Sequence, residues 1–115
     1  MDFWTRLDIL LASKALIIDR PKGSAHPRYP TIVYPLDYGY LKETCAGDGD
    51  GIDVWRGTLA HPHLVGIVCT VDTKKSDTEV KLLVGCNAQE MQTVHQFHNG
   101  NAYMSGIIIR RGKVD

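Results

Sequence analysis

The sequence predicts a small, mostly β domain carrying one or two helices, and three observations point there. Two β-branched runs, LVGIVCTVDT at 64–73 and EVKLLVGC at 79–86, flank a polar turn at 74–78 and read as a hairpin. Further segments at 15–19, 38–42, 52–56 and 102–111 have the apolar content and length of strands. Helical spacing shows only near the two ends. A sheet of this kind exposes edges, and closing it into a barrel removes them.

Each element has its own signal. In MDFWTRLDILLAS, residues Phe3, Trp4, Leu7, Leu10 and Leu11 fall on one helical face, and Asp2 is placed as N-cap. A strand over 5–9, from the alternation Thr5, Arg6, Leu7, Asp8, Ile9, competes with that helix; the helix is preferred. The run ALIID at 15–19 suits a buried strand. Four of the five prolines lie between 21 and 35, so this stretch is an irregular loop, of a length that is usually functional or disordered. Residues 47–51 form a Gly-rich turn between strands 38–42 and 52–56. Residues 87–98 lack Gly and Pro, place Met91, Val94 and Phe97 three apart, and begin with Asn87 and Glu90, close to a capping box. Trp55, Phe3 and Trp4 read as core or interface.

Composition narrows the function classes. The chain has 115 residues, one domain's worth, read as a single domain over 1–115. Lys plus Arg is 13 and Asp plus Glu is 13, so net charge is zero, which argues against a nucleic-acid partner held by a basic surface. No apolar run approaches the ~18 residues of a membrane span, and the start lacks a signal-peptide pattern. Cys45, Cys69 and Cys86 are odd in number, with no C-x-x-C pair, and read as reduced thiols of a cytoplasmic protein.

The densest chemical feature is Asp48-Gly-Asp50-Gly-Ile-Asp53, three carboxylates in six residues without a base. Crowded anions repel, so a cation is their natural compensation, and oxygen-only donors favour a hard one. An EF-hand fails on count: from Asp48, positions five, six and twelve are Ile52, Asp53 and Leu59. A second acidic group is Asp72, Asp77 and Glu79, with Lys81 on the strand face of Glu79 and Asp72 placed across the hairpin from Glu79. Arg20, Lys22, Arg28, Tyr34, Tyr38 and Tyr40 form a cationic and phenolic group suited to phosphate oxygens. Acids and bases together suggest metal-bridged phosphate chemistry. His61-Pro-His63 reads as a surface turn, and His95 and His98 as parts of a packed helix. His26, in the loop beside Arg28, has no role that the sequence forces.

Ile18-Asp-Arg20, Tyr34-Pro-Leu-Asp-Tyr38-Gly-Tyr40, Asp48-Gly-Asp50-Gly-Ile-Asp53-Val54, a strand ending at Asp72, and Glu79-Val-Lys81 resemble the soluble family I inorganic pyrophosphatases over roughly residues 15–86. The resemblance implies an OB-like five-stranded antiparallel barrel and Mg2+-dependent hydrolysis of pyrophosphate, with Mn2+ as an alternative ion. It implies that Asp48, Asp53, Asp72 and Glu79 are metal ligands and that Asp50 is the general base. Arg20, Tyr34 and Lys81 would hold phosphate oxygens, and Tyr38 would support the acids by hydrogen bonding. It also implies a homo-oligomer. Glu79 stands where the family has Asp, and the late helix lacks the family's Tyr-Lys pair. Arg6 and Asp8 would match a phosphate-binding and a metal-binding position only if 5–9 were a strand, so neither is assigned. Two other functions remain open: a metal-dependent phosphohydrolase acting on another phosphoanhydride, and an OB-like binding module without turnover.

Overall fold

Among the described residues, six strands and two helices follow one another as α1 (Phe3–Ser13), β1 (Leu16–Arg20), β2 (Asp37–Leu41), β3 (Asp53–Arg56), β4 (Leu64–Asp72), β5 (Asp77–Val84), α2 (Ala88–Asn99) and β6 (Met104–Arg110). The computed structural model describes residues 1–112. Residues 113–115, part of the domain expected from sequence, lie outside them. Among the described residues, no helix is long and apolar enough to cross a membrane.

The mostly β, OB-like expectation holds, with two corrections of detail. The sheet has six strands, in the order β1-β2-β3-β5-β4-β6, and the implied count was five. It is also mixed: every pair is antiparallel except β3–β5, which runs parallel. The reason is topological. β4 turns back on β5 as a hairpin, and β5 must then enter beside β3 from the same end.

Local chemistry explains the elements. Asp2 caps α1 by accepting the Thr5 N–H at 2.8 Å. Asn87 and Glu90 form a complete capping box on α2. The stretch over 5–9 is therefore helical, and Asp8 pairs with Arg111 through two bonds of 2.8 Å. The helices cover opposite faces of the sheet. Trp4, Leu7, Leu10 and Leu11 of α1 lie over Leu41, Val54, Leu64, Ile67, Leu82 and Val84. On the other face, Met91, Val94 and Phe97 of α2 pack with Leu36, Tyr38, Trp55, Val68 and Leu83. Trp55 is fully buried, while Phe3 is exposed.

The Pro-rich loop is ordered by its own hydrogen bonds. Gly23 N–H donates to Tyr34 and Tyr34 N–H to Ser24, while His26 N–H donates to Ile32 and Ile32 N–H to Tyr29. The loop is thus a small hairpin standing beside β1 and β2, joined by the Ala25–Val33 bridge. The β6 edge is also covered in part. The Asn99 carboxamide accepts the Gly106 N–H at 3.1 Å and donates to its carbonyl at 3.0 Å, mimicking a neighbouring strand.

Gly39 shows how closely β1 and β2 approach. A Cβ there would overlap the carbonyl of Ile17, on rigid backbone. Gly39→Ala should therefore lower stability by about 3 kcal/mol, the upper range for overpacking, as measured by urea unfolding.

Candidate active site

The parallel β3–β5 pair assembles the site. Trp55 is level with Leu83, and because the strands run in step, Asp53 is level with Lys81. The cross-strand pair Tyr38–Trp55 then brings Tyr38 to the same place from β2. Lys81 and Glu79 share a strand face because side chains alternate.

Lys81 is the hub. Its Nζ donates to Glu79 Oε2 at 2.7 Å, to Asp53 Oδ2 at 2.8 Å and to Tyr38 Oη at 2.8 Å. An ammonium has three N–H donors, and all three are committed. Only 5 % of the residue is exposed. Burial pushes its pKa down, but Tyr38, Asp53 and Glu79 outweigh burial, so the net shift is upward and the ammonium stays charged. Burial in turn raises the Tyr38 hydroxyl well above its usual value.

The acids around this hub are coupled. Asp48 is lowered, first by its hydrogen bond with Glu79 and then by the Asp50 N–H, which it accepts at 3.0 Å. Glu79 is raised, first by burial, with Asp48 and Asp53 adding to the effect and Lys81 opposing it. Two nearby carboxyl groups disfavour each other's charge, and the opposite shifts of Asp48 and Glu79 reflect that coupling. Asp50 is exposed and its carboxylate has no hydrogen-bond partner among the described residues. Asp72 is the exception in this group. It is paired with Asp77, and Glu79 with Thr70, so Asp72 is not directly across from Glu79. Its Oδ1 accepts the N–H groups of Lys74 and Lys75 at 2.9 and 3.0 Å and closes the β4–β5 turn.

The cationic side lies at the base of the loop. Arg20, paired with Tyr38 across β1 and β2, donates to the Tyr34 hydroxyl and lies over the rings of Tyr34 (5.4 Å) and Tyr38 (6.0 Å). Tyr34, Tyr38, Trp55 and Phe97 form a continuous aromatic group with centroid separations of 4.6 to 5.9 Å. His98 supports it from α2. Its Nε2 accepts the Trp55 indole N–H at 3.0 Å, and its Nδ1 faces Met104 Sδ at 3.2 Å. Burial, with lesser contributions from Lys81 and His95, lowers its pKa to about 3. It is a neutral core histidine, as expected for a packed helix. His61 and His63 are exposed in a turn, also as expected.

The donor types suit a hard divalent cation. Asp48, Asp53 and Glu79 offer only carboxylate oxygens, and Asp53 and Glu79 already pair with one positive charge. Among the described residues, no three His, Cys, Asp or Glu side chains are placed to hold a metal ion together. Asp53 and Glu79 are instead both bonded to the Lys81 ammonium.

With this geometry in view, comparison with known proteins is informative. The inorganic pyrophosphatase family model matches residues 7–110. The chain belongs to the inorganic pyrophosphatase family. Membership supports pyrophosphate hydrolysis as its general chemistry and a small molecule as its substrate. No curated protein matches the chain. Sequence reasoning missed the Trp55–His98 bond and the Asp8–Arg111 pair of this pyrophosphatase domain. Neither has a local signal, since the partners stand 43 and 103 positions apart in the sequence.

Two outcomes follow. Lys81→Met leaves Asp53, Glu79 and Tyr38 without their shared donor, so the metal-free protein should lose about 3 kcal/mol. Added Mg2+ should then raise the melting temperature of the variant more than that of the wild type. His98 works through protons. Its pKa falls from 6.5 unfolded to about 3 folded, so the unfolded chain takes up the proton first. Its contribution is whole above pH 6.5 and declines as pH falls toward 3. Urea unfolding across that window should show the slope, and His98→Gln, which keeps an acceptor for Trp55, should flatten it.

Proposed function

We propose that this pyrophosphatase domain hydrolyses inorganic pyrophosphate to two phosphates in a Mg2+-dependent reaction, with Mn2+ as a substitute. The observation that carries the reading is the juxtaposition of the Asp48–Asp53–Glu79 group with Arg20 and Tyr34, bridged by the buried Lys81–Tyr38 bond.

Asp48, Asp53 and Glu79 would hold the metal ion, with Asp72 contributing from the adjoining turn. Held there, such an ion would supply a lowered pKa for the attacking water and positive charge against the diphosphate. Asp50 has a free carboxylate next to these acids and is the candidate general base. It takes a proton from the water as the water oxygen bonds to phosphorus and the bridging P–O bond breaks, releasing two phosphates. Arg20 offers a planar fork and Tyr34 a hydroxyl, and together they hold phosphoryl oxygens. Lys81 can donate to phosphate only after Asp53, Glu79 or Tyr38 gives up a bond to it. Tyr38 stays protonated and positions Lys81. We place the enzyme in the cytoplasm, in keeping with three free cysteines, and as a homo-oligomer without a nucleic-acid or membrane partner.

The purified chain should release phosphate from pyrophosphate with Mg2+, and Asp50→Asn should slow it by about 100-fold or more. Failure to turn over with either Mg2+ or Mn2+ would falsify the reading. Faster release from a nucleotide or another phosphoanhydride in a substrate panel would shift the substrate and keep the chemistry.

A further inference from the structure

The Pro-rich loop is the part of the chain that the proposed chemistry uses least. His26 stands at its centre, with a defined hydrogen-bonding state. Its Nδ1 accepts the N–H groups of Arg28 at 3.0 Å and of Tyr29 at 3.3 Å. A neutral imidazole that accepts at Nδ1 carries its proton on Nε2. That N–H has no protein acceptor among the described residues.

The surroundings of the ring are cationic. It lies nearly parallel to Tyr34, with centroids 6.2 Å apart and planes 12° apart, and the Tyr34 hydroxyl bonds to Arg20. Across from the loop, the β4–β5 turn comes close: Lys74 Nζ is 5.9 Å from the Tyr29 ring and 5.2 Å from that of Tyr103. Partial burial, then the charges of Arg20, Lys75 and Arg28, hold His26 below its ordinary value. The ring is therefore a neutral N–H donor inside a positive rim, an arrangement that suits an anion's oxygens.

We propose that His26, through Nε2–H, is a phosphate-contacting residue that forms with Arg28 and Lys75 a second anchor for phosphoryl oxygens, beyond Arg20 and Tyr34. This rests on the pyrophosphatase reading and deepens it: the loop would grip the substrate diphosphate, and the product phosphate, beside Tyr34. The ordered backbone of the loop fits the role, since a pre-set donor gives up little freedom on binding.

The test separates the two ends of the ring. His26→Asn keeps an acceptor where Nδ1 stands and deletes the Nε2 donor, whereas His26→Gln keeps a donor near Nε2. His26→Asn should raise the KM for pyrophosphate about tenfold, a larger effect than on kcat, and His26→Gln should recover most of it. Lys75→Met and Arg28→Met should each weaken binding in the same direction. Inorganic phosphate titrated into the wild-type protein should move the His26 ring signals in NMR spectra. A His26→Asn variant with wild-type KM, or one whose KM rises only together with a fall in melting temperature, would overturn the anchor. If the wild-type chain has no activity on pyrophosphate, the function fails separately, and the phosphate titration decides: a moving His26 signal supports the anchor, and an unmoved one removes it.

Discussion

One buried ammonium sets the terms for the rest of this molecule. Lys81 could not stay charged at 5 % exposure without three acceptors, and it has them in Asp53, Glu79 and Tyr38. These acceptors come from β2, β3 and β5, so the interaction ties three strands together at one point. It also dictates the sheet. Only a parallel β3–β5 pair brings Asp53 level with Lys81 while leaving Trp55 beside Leu83 in the core. The same face carries an aromatic group held from behind by His98, so the site is backed by rigid, dry packing.

A charge partition grows from this arrangement. Asp48, Asp53 and Glu79 gather on one side of Lys81, while Arg20 and the loop cations gather beyond Tyr34. Zero net charge therefore conceals an acidic and a cationic region. A ligand that is strongly anionic and travels with a divalent cation satisfies both. The acids crowd one another, and burial together with Asp48 and Asp53 raises Glu79. Lys81 supplies positive charge internally, which makes it at once a structural counter-ion and a group that a bound cation can free.

Much of the fold was legible because its signals are local. The caps at Asp2 and Asn87, the hairpin around 74–78 and the helix with its apolar triplet Met91, Val94 and Phe97 each depend on residues a few positions apart. The acids of β3 and β5 were legible as chemistry, since crowded carboxylates announce a cation. What was not legible is pairing between distant strands. The parallel β3–β5 ladder has no local mark, so an antiparallel barrel of five strands was the implied form, although six strand-like segments could be counted. Asp72 was misplaced for the same reason: its register depends on the turn length, and with Asp77 as its partner it serves the turn. The loop was read as irregular because prolines mask hairpin signals; its order comes from backbone bonds at Gly23, His26, Ile32 and Tyr34.

The account turns on whether the carboxylates around Lys81 bind a cation beside a diphosphate held at Arg20. A crystal structure with Mn2+ and a non-hydrolysable diphosphate, with anomalous scattering used to locate the metal, addresses this directly. The account predicts an anomalous peak shared by Asp48, Asp53 and Glu79, with the diphosphate on Arg20 and Tyr34 and Lys81 turned toward it. Metal bound elsewhere, with Lys81 still bonded to Asp53, Glu79 and Tyr38 in the presence of both ligands, would contradict it.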